Sequence, residues 1–222
     1  MRWIEKGIAW LGVLLLLSGG SAALKVHTVG FGRWMTVKAL VEPSEESGVD
    51  LKIRGLFVDG VLKSYTLGAM HEITDRQFAI QRIVRVNDEL PSERSASRWV
   101  WKRSGWVMVD RGTGHITQLV LPEFDAELSA AEWYRDYIAY CGVSDEGDKL
   151  YAIVVQVGRR KPLVKKVIAD MKEPEDLRCG SPVWERQPVR VTFSWKSDQK
   201  ATYTIRGRAF VLREDEEEDD TE

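Results

Sequence analysis

Residues 49–67 read VDLKIRGLFVDGVLKSYTL, and this stretch decides the fold class. Apolar Leu51 and Ile53 alternate with Asp50, Lys52 and Arg54, the period-two pattern of a strand with one buried face. Between Leu56-Phe57-Val58 and Val61-Leu62 stands Asp59-Gly60, a pair that takes positive φ in a two-residue turn. The segment therefore predicts a β-hairpin with strands Val49 to Val58 and Val61 to Leu67.

The same grammar recurs outward in both directions. Asp110 to Gly114 joins Trp106 to Asp110 with His115 to Leu121, and Asp145-Glu146-Gly147-Asp148 precedes Leu150 to Val157. Further strands are expected at Trp34 to Val41, Phe78 to Val86, Arg98 to Lys102, Trp133 to Cys141, Leu163 to Ile168, Val189 to Trp195, Thr202 to Arg206 and Ala209 to Leu212. Thr74 and Gln77 have capping-box spacing, but the β-branched residues from Phe78 to Val86 favour a strand. Glu123 to Glu132 reads as a short helix or a loop, and Met171 to Pro182 as a polar connection. Long helical periodicity is missing, so one all-β domain over 24–213 is expected, built of antiparallel meanders in a sandwich-like or propeller-like arrangement.

The ends carry their own signals. Arg2 and Lys6, the apolar run from Ile8 to Leu17, and small Ser21 and Ala23 make residues 1–23 a signal peptide, too short to span a bilayer comfortably. Periplasmic or extracellular localisation follows, with no stable membrane span after cleavage and no nucleic-acid partner. Glu214 to Glu222 holds eight acids and no base, so 214–222 is expected to be a disordered, solvated acidic tail on a mildly basic body. It also has the composition of a polyanion mimic. Cys141 and Cys179 are the only cysteines, and an oxidising compartment pairs them.

No catalytic signature stands out. His71-Glu72 with Asp75 lacks the second histidine of a zinc-protease helix, no Gly-x-Ser-x-Gly elbow exists, and neither metal nor cofactor is expected. Glycoside cleavage needs two facing carboxylates, which a β-protein readily supplies; Glu123, Asp125 and Glu127 are the one such cluster in an expected connection, where a solvated loop is the default reading. For binding, Trp99 and Trp101 share a face of one strand, with Trp106 across an expected Lys102 to Gly105 turn, an arrangement that forms an aromatic platform if the rings are exposed together. Arg159, Arg160 and Lys161 sit at a hairpin tip with Lys165 and Lys166 beyond, a cluster able to attract an anion. Trp133 to Cys141 is rich in large side chains on both faces, the mark of a central strand, and obliges Arg135 and Asp136 to find partners.

The segment from Trp133 to Pro162, with WYRDY, YCGVSDEG and GRRKP, resembles a group of uncharacterised exported bacterial proteins, more loosely from Trp34 to Leu212. The resemblance implies export from a bacterial cell and adds no site. The sequence thus predicts a non-catalytic binding or envelope-associated β domain whose partner is a cell-wall glycan or another envelope protein. A glycan-binding module or a carboxylate-dependent glycoside hydrolase is the alternative.

Overall fold

Strand pairing accounts for every regular element in the computed structural model, which describes residues 26–39, 48–92, 98–171, 179–196 and 198–206. The leader, the acidic tail and the strand expected at Ala209 to Leu212 lie outside these residues. The first sheet contains β1 (Val29–Phe31), β2 (Met35–Ala39), β3 (Val49–Val58), β4 (Val61–Glu72), β5 (Gln77–Asn87), β6 (Trp99–Asp110) and β7 (Ile116–Gln118).

Strands β2 to β6 pair in succession around a ring, and β2 closes it against β6 through Ala39 and Trp101. A ring of five meandering strands cannot be antiparallel throughout, because an odd number forces one pair to run the same way; the closing pair is that parallel one. Every strand of the ring contributes to a shared cluster that includes Val37, Ala39, Ile53, Leu67, Ile83 and Trp101. The Asp59-Gly60 turn has φ of 52° and 76°, as its residues require. The Asp59 carboxylate also accepts bonds from the Thr28 amide and the His27 ring, which ties β1 beside β3.

The expected turn from Lys102 to Gly105 is absent. Arg98 to Lys102 and Trp106 to Asp110 belong to the single strand β6, because β5 pairs along its whole length. Gln81 faces Trp106 while Ile83 faces Arg103, so β6 carries one extra residue there, a bulge beside Gly105.

The second sheet has the order β11-β10-β9-β8, from β8 (Ala131–Tyr134), β9 (Tyr137–Val143), β10 (Lys149–Gln156) and β11 (Val164–Asp170). The third is β12 (Val183–Arg186), β13 (Val189–Trp195) and β14 (Gln199–Thr204). The expected strand from Trp133 to Cys141 is in fact β8 and β9, folded back at Arg135-Asp136. Arg135 takes φ of 54°, and Asp136 anchors the turn: its carbonyl accepts the Val157 amide and its carboxylate the Gln156 side-chain amide.

The sheets stack face to face, sandwich-like, with the second in the middle. Ile138, Tyr140, Ile153 and Val155 pack against Ala79 and Trp106 of the first sheet. The opposite face, with Tyr137, Ala139, Cys141, Ala152 and Val154, packs against Val191, Phe193 and Trp195 of the third. Cys141 and Cys179 form a disulfide with a Cα separation of 6.3 Å, and Cys179 bridges to Trp195, so the bond clips the middle layer to the third. Of the segment Glu123 to Glu132, residues 123–130 are a loop of turns rather than a helix and the last two begin β8; the loop is held by Asp125, whose carboxylate accepts the amides of Glu127 and Leu128.

Two substitutions probe this packing. A Cβ at Gly142 would lie 2.5 Å from Ile153 Cδ1 and 3.0 Å from the Glu123 carbonyl oxygen, so Gly142→Ala is expected to destabilise the fold by about 1–3 kcal/mol in urea unfolding. Asp110 caps its turn by accepting the Gly112 and Thr113 amides at 2.8 and 2.9 Å and Arg76 Nε at 3.0 Å. Burial pushes its carboxyl up, but hydrogen bonds from Thr113, Arg76 and Gln77 and the Arg76 charge together prevail and lower the pKa to about 2. Because the folded value lies below the unfolded one, the contribution is complete above about pH 4 and disappears as the pH falls through 2. Asp110→Asn is expected to cost up to about 2 kcal/mol at pH 7 and to flatten the loss of stability between pH 4 and 2.

Candidate functional site

The chain leaves the first sheet for the second immediately after β7, and that crossing creates a groove. Strand β7 pairs with β6 for three residues, and the Leu119 amide still reaches the Trp106 carbonyl at 2.9 Å. The chain then departs through Val120, Leu121 and Pro122 and is caught on the second sheet where the Val143 amide donates to the Glu123 carbonyl. Tyr140, fully buried, donates its hydroxyl to the Pro122 carbonyl at 2.8 Å. Burial, and secondarily the Glu123 charge, push that phenol above its usual range, so it is a neutral donor at any physiological pH.

Between the crossing segment and the middle sheet lies a cavity of about 540 Å³. Met108, Leu119, Leu121, Ile138 and Val155 give it apolar walls, and Gln156 brings a polar group to its edge. The β10–β11 turn adds exposed residues to its border, as do Thr117, Gln118 and Val120. Gly158 takes φ of 81°, the Arg159 amide donates to the Gln156 carbonyl, and the Leu163 amide returns to Val154, which fixes the turn and projects Arg159 and Arg160 beside the opening. Both arginines are exposed, and neither joins an ion pair among the described residues. Lys165, also on the lining, is engaged with Glu123 and lies 5.1 Å over the Tyr151 ring; the Glu123 hydrogen bond holds its ammonium above the usual lysine range.

Arg159 and Arg160 therefore line the groove, while Lys161 is exposed next to them but off its lining. The tryptophans do not form one platform. Trp99 is 52% exposed near Arg85, whereas Trp101 turns into the ring edge-on to Tyr65 at 5.1 Å. Trp106 is 8% exposed, packed edge-on to Trp133 in the cluster between the first two sheets, whereas Trp101 belongs to the cluster inside the ring. The three carboxylates are each engaged: Glu123 with Lys165, Asp125 with two amides, and Glu127 with the Arg103 amide at 3.0 Å.

His71 and Glu72 border a second, more open cavity of about 570 Å³ with Trp133, Arg135 and Arg186. Its histidine and its carboxylate are both engaged. His71 stacks on Trp133 at 5.1 Å and donates Nε2–H to the Arg135 carbonyl, and Glu72 takes both terminal nitrogens of Arg111. Asp75 meets Arg111 only through its backbone carbonyl, so His71, Glu72 and Asp75 do not converge as ligands. No group able to hold a metal occurs among the described residues.

The groove walls from Leu119 to Pro122 were the part sequence reasoning missed, since residues through Leu121 read as strand. The usable signal was Pro122 after three consecutive apolar residues, of which Val120 is 86% exposed. No family model, no curated protein and no solved structure matches the chain. Because Arg159 and Arg160 are exposed and join no ion pair among the described residues, Arg159→Ala with Arg160→Ala is expected to change unfolding stability by less than about 0.5 kcal/mol. A loss above about 1.5 kcal/mol in urea titration would make them structural.

Proposed function

We propose that this chain is a non-catalytic binding domain of the bacterial cell envelope, working in an oxidising compartment on an extended peptide segment of another envelope protein. The observation that carries the reading is the groove beside β7, with apolar walls and two guanidinium groups at its mouth that lack an ion-pair partner among the described residues. Such a site favours a segment whose apolar side chains enter the groove while adjacent carboxylates meet Arg159 and Arg160, since Arg forms paired hydrogen bonds to carboxylates.

A peptide suits the site better than a compact anion. Strand β7 pairs with β6 alone among the described residues, and its Thr117 and Gln118 line the groove with an edge open to an added strand. The Cys141–Cys179 disulfide and the export signal in residues 1–23 support the compartment. The likeness of Trp133 to Pro162 to exported bacterial proteins supports it as well.

The test is a melting-temperature measurement with two probes, an acetylated (Leu-Glu)4 peptide and chitohexaose. The peptide is expected to raise the melting point by a few degrees at low salt, an effect lost in 0.5 M NaCl and in Arg159→Glu with Arg160→Glu. A rise with chitohexaose and none with the peptide would overturn this reading in favour of a glycan-binding module.

A further inference from the structure

The chain itself carries a segment of the chemistry this groove selects. Ala209-Phe210-Val211-Leu212 is an apolar block, and after Arg213 comes the acidic run that begins at Glu214. Apolar residues joined to carboxylates match a groove with apolar walls and cations on its border. Resting on the groove reading above, we propose that residues 209–218 occupy the groove in cis, with Phe210 among its apolar walls and Glu214 to Glu218 against Arg159, Arg160 and Lys161, so that an outside peptide must displace them.

The exit point of the tail permits this. The Ile205 amide donates to the Val189 carbonyl, and Val189 pairs with Arg186, which borders the same cavity as Arg135. Arg135 turns the chain into Tyr137, whose cross-strand partner is Gln156 on the edge of the groove. Thus Ile205 stands near the β8–β9 turn end of the middle sheet, on the face opposite the groove, and Gln156 of the groove lining pairs at that same end. Phe210 follows Ile205 by five residues, about 17 Å of extended chain, enough to round one layer when sheets stack about 10 Å apart.

Charge makes the contact selective. Arg159, Arg160 and Lys161 are exposed, whereas nearby Lys165 is already held by Glu123. The run Glu214 to Glu218 supplies five consecutive acids, and bringing it to the mouth lowers the repulsion within each cluster. The tether also sets the magnitude. A segment held by a short linker is present at an effective concentration of about 1 mM, so a tail with an intrinsic Kd of about 100 µM fills the groove roughly nine-tenths of the time and weakens a competitor about tenfold.

Two measurements on the full-length chain test the inference. Benzoylphenylalanine placed at Phe210 is expected on irradiation to crosslink within one molecule to residues 118–122 or 155–160, mapped by mass spectrometry. Crosslinks confined to other regions, or formed only between molecules, would overturn it. Neutralising the tail (Glu214→Gln, Asp215→Asn, Glu216→Gln, Glu217→Gln and Glu218→Gln) is expected to tighten binding of the (Leu-Glu)4 peptide about tenfold. Equal, measurable affinity in both proteins would refute occupancy by the tail and leave the groove reading standing. Crosslinking into the groove with no peptide binding to the neutralised chain would support the tail contact and refute the outside peptide.

Discussion

Strand β9 has no solvent face, and the order of the layers follows from that. Tyr137 to Gly142 are all buried, with alternate side chains committed to different sheets: Ile138 and Tyr140 toward the closed ring, Tyr137, Ala139 and Cys141 toward β13. A strand buried on both sides must be covered on both sides, so neither the ring nor the third sheet can leave without exposing a row of large apolar groups. The disulfide sits on the side where cover is thinnest, a three-stranded sheet. By the chain-entropy estimate a crosslink over 38 residues adds about 4 kcal/mol, comparable to the margin on which a whole domain rests.

The same constraint generates the groove. A chain passing from one layer to the next cannot pair with both, so between the last ladder bond of β7 and the catch at Glu123 it spans the gap through Val120 and Leu121. The walls are apolar because they lie at the margin of the interface that Ile138 and Val155 share with the ring, where the first sheet ends. The groove is a margin of core, with charge placed at its border by an adjacent turn.

What was legible in the sequence was whatever is decided within a few residues. The Asp59-Gly60 hairpin, the Asp110 turn and β3, β5, β10 and β13 follow from alternation and turn chemistry, which are local. The doubly apolar character of Tyr137 to Cys141 correctly marked a central strand, yet alternation cannot see a two-residue reversal flanked by strand-forming residues, and Arg135-Asp136 carries no glycine to announce one. The bulge in β6 was invisible for a related reason: its extra residue matters only relative to β5. Short β1 and β12 were missed because three or four residues hold too little pattern. Arg159 and Arg160 could be picked out as a cationic turn, but the groove they border is made by segments some forty residues apart, and no local rule brings Leu119 to Val155.

The position of the carboxylates bears on which chemistry the site can perform. The cluster from Glu123 to Glu127 is the best acid constellation in the chain, and its members secure the crossing segment: Asp125 through two amides, Glu127 through the Arg103 amide, Glu123 through Lys165. A carboxylate that holds a loop to its sheet cannot also approach a scissile bond without releasing that loop. Glu123 adds a second consequence. By neutralising Lys165 it removes one cation from the groove and leaves the remaining positive charge at the outer lip, on Arg159 and Arg160. Apolar walls and two exposed arginines thereby border one groove, with the third cation of its lining already engaged.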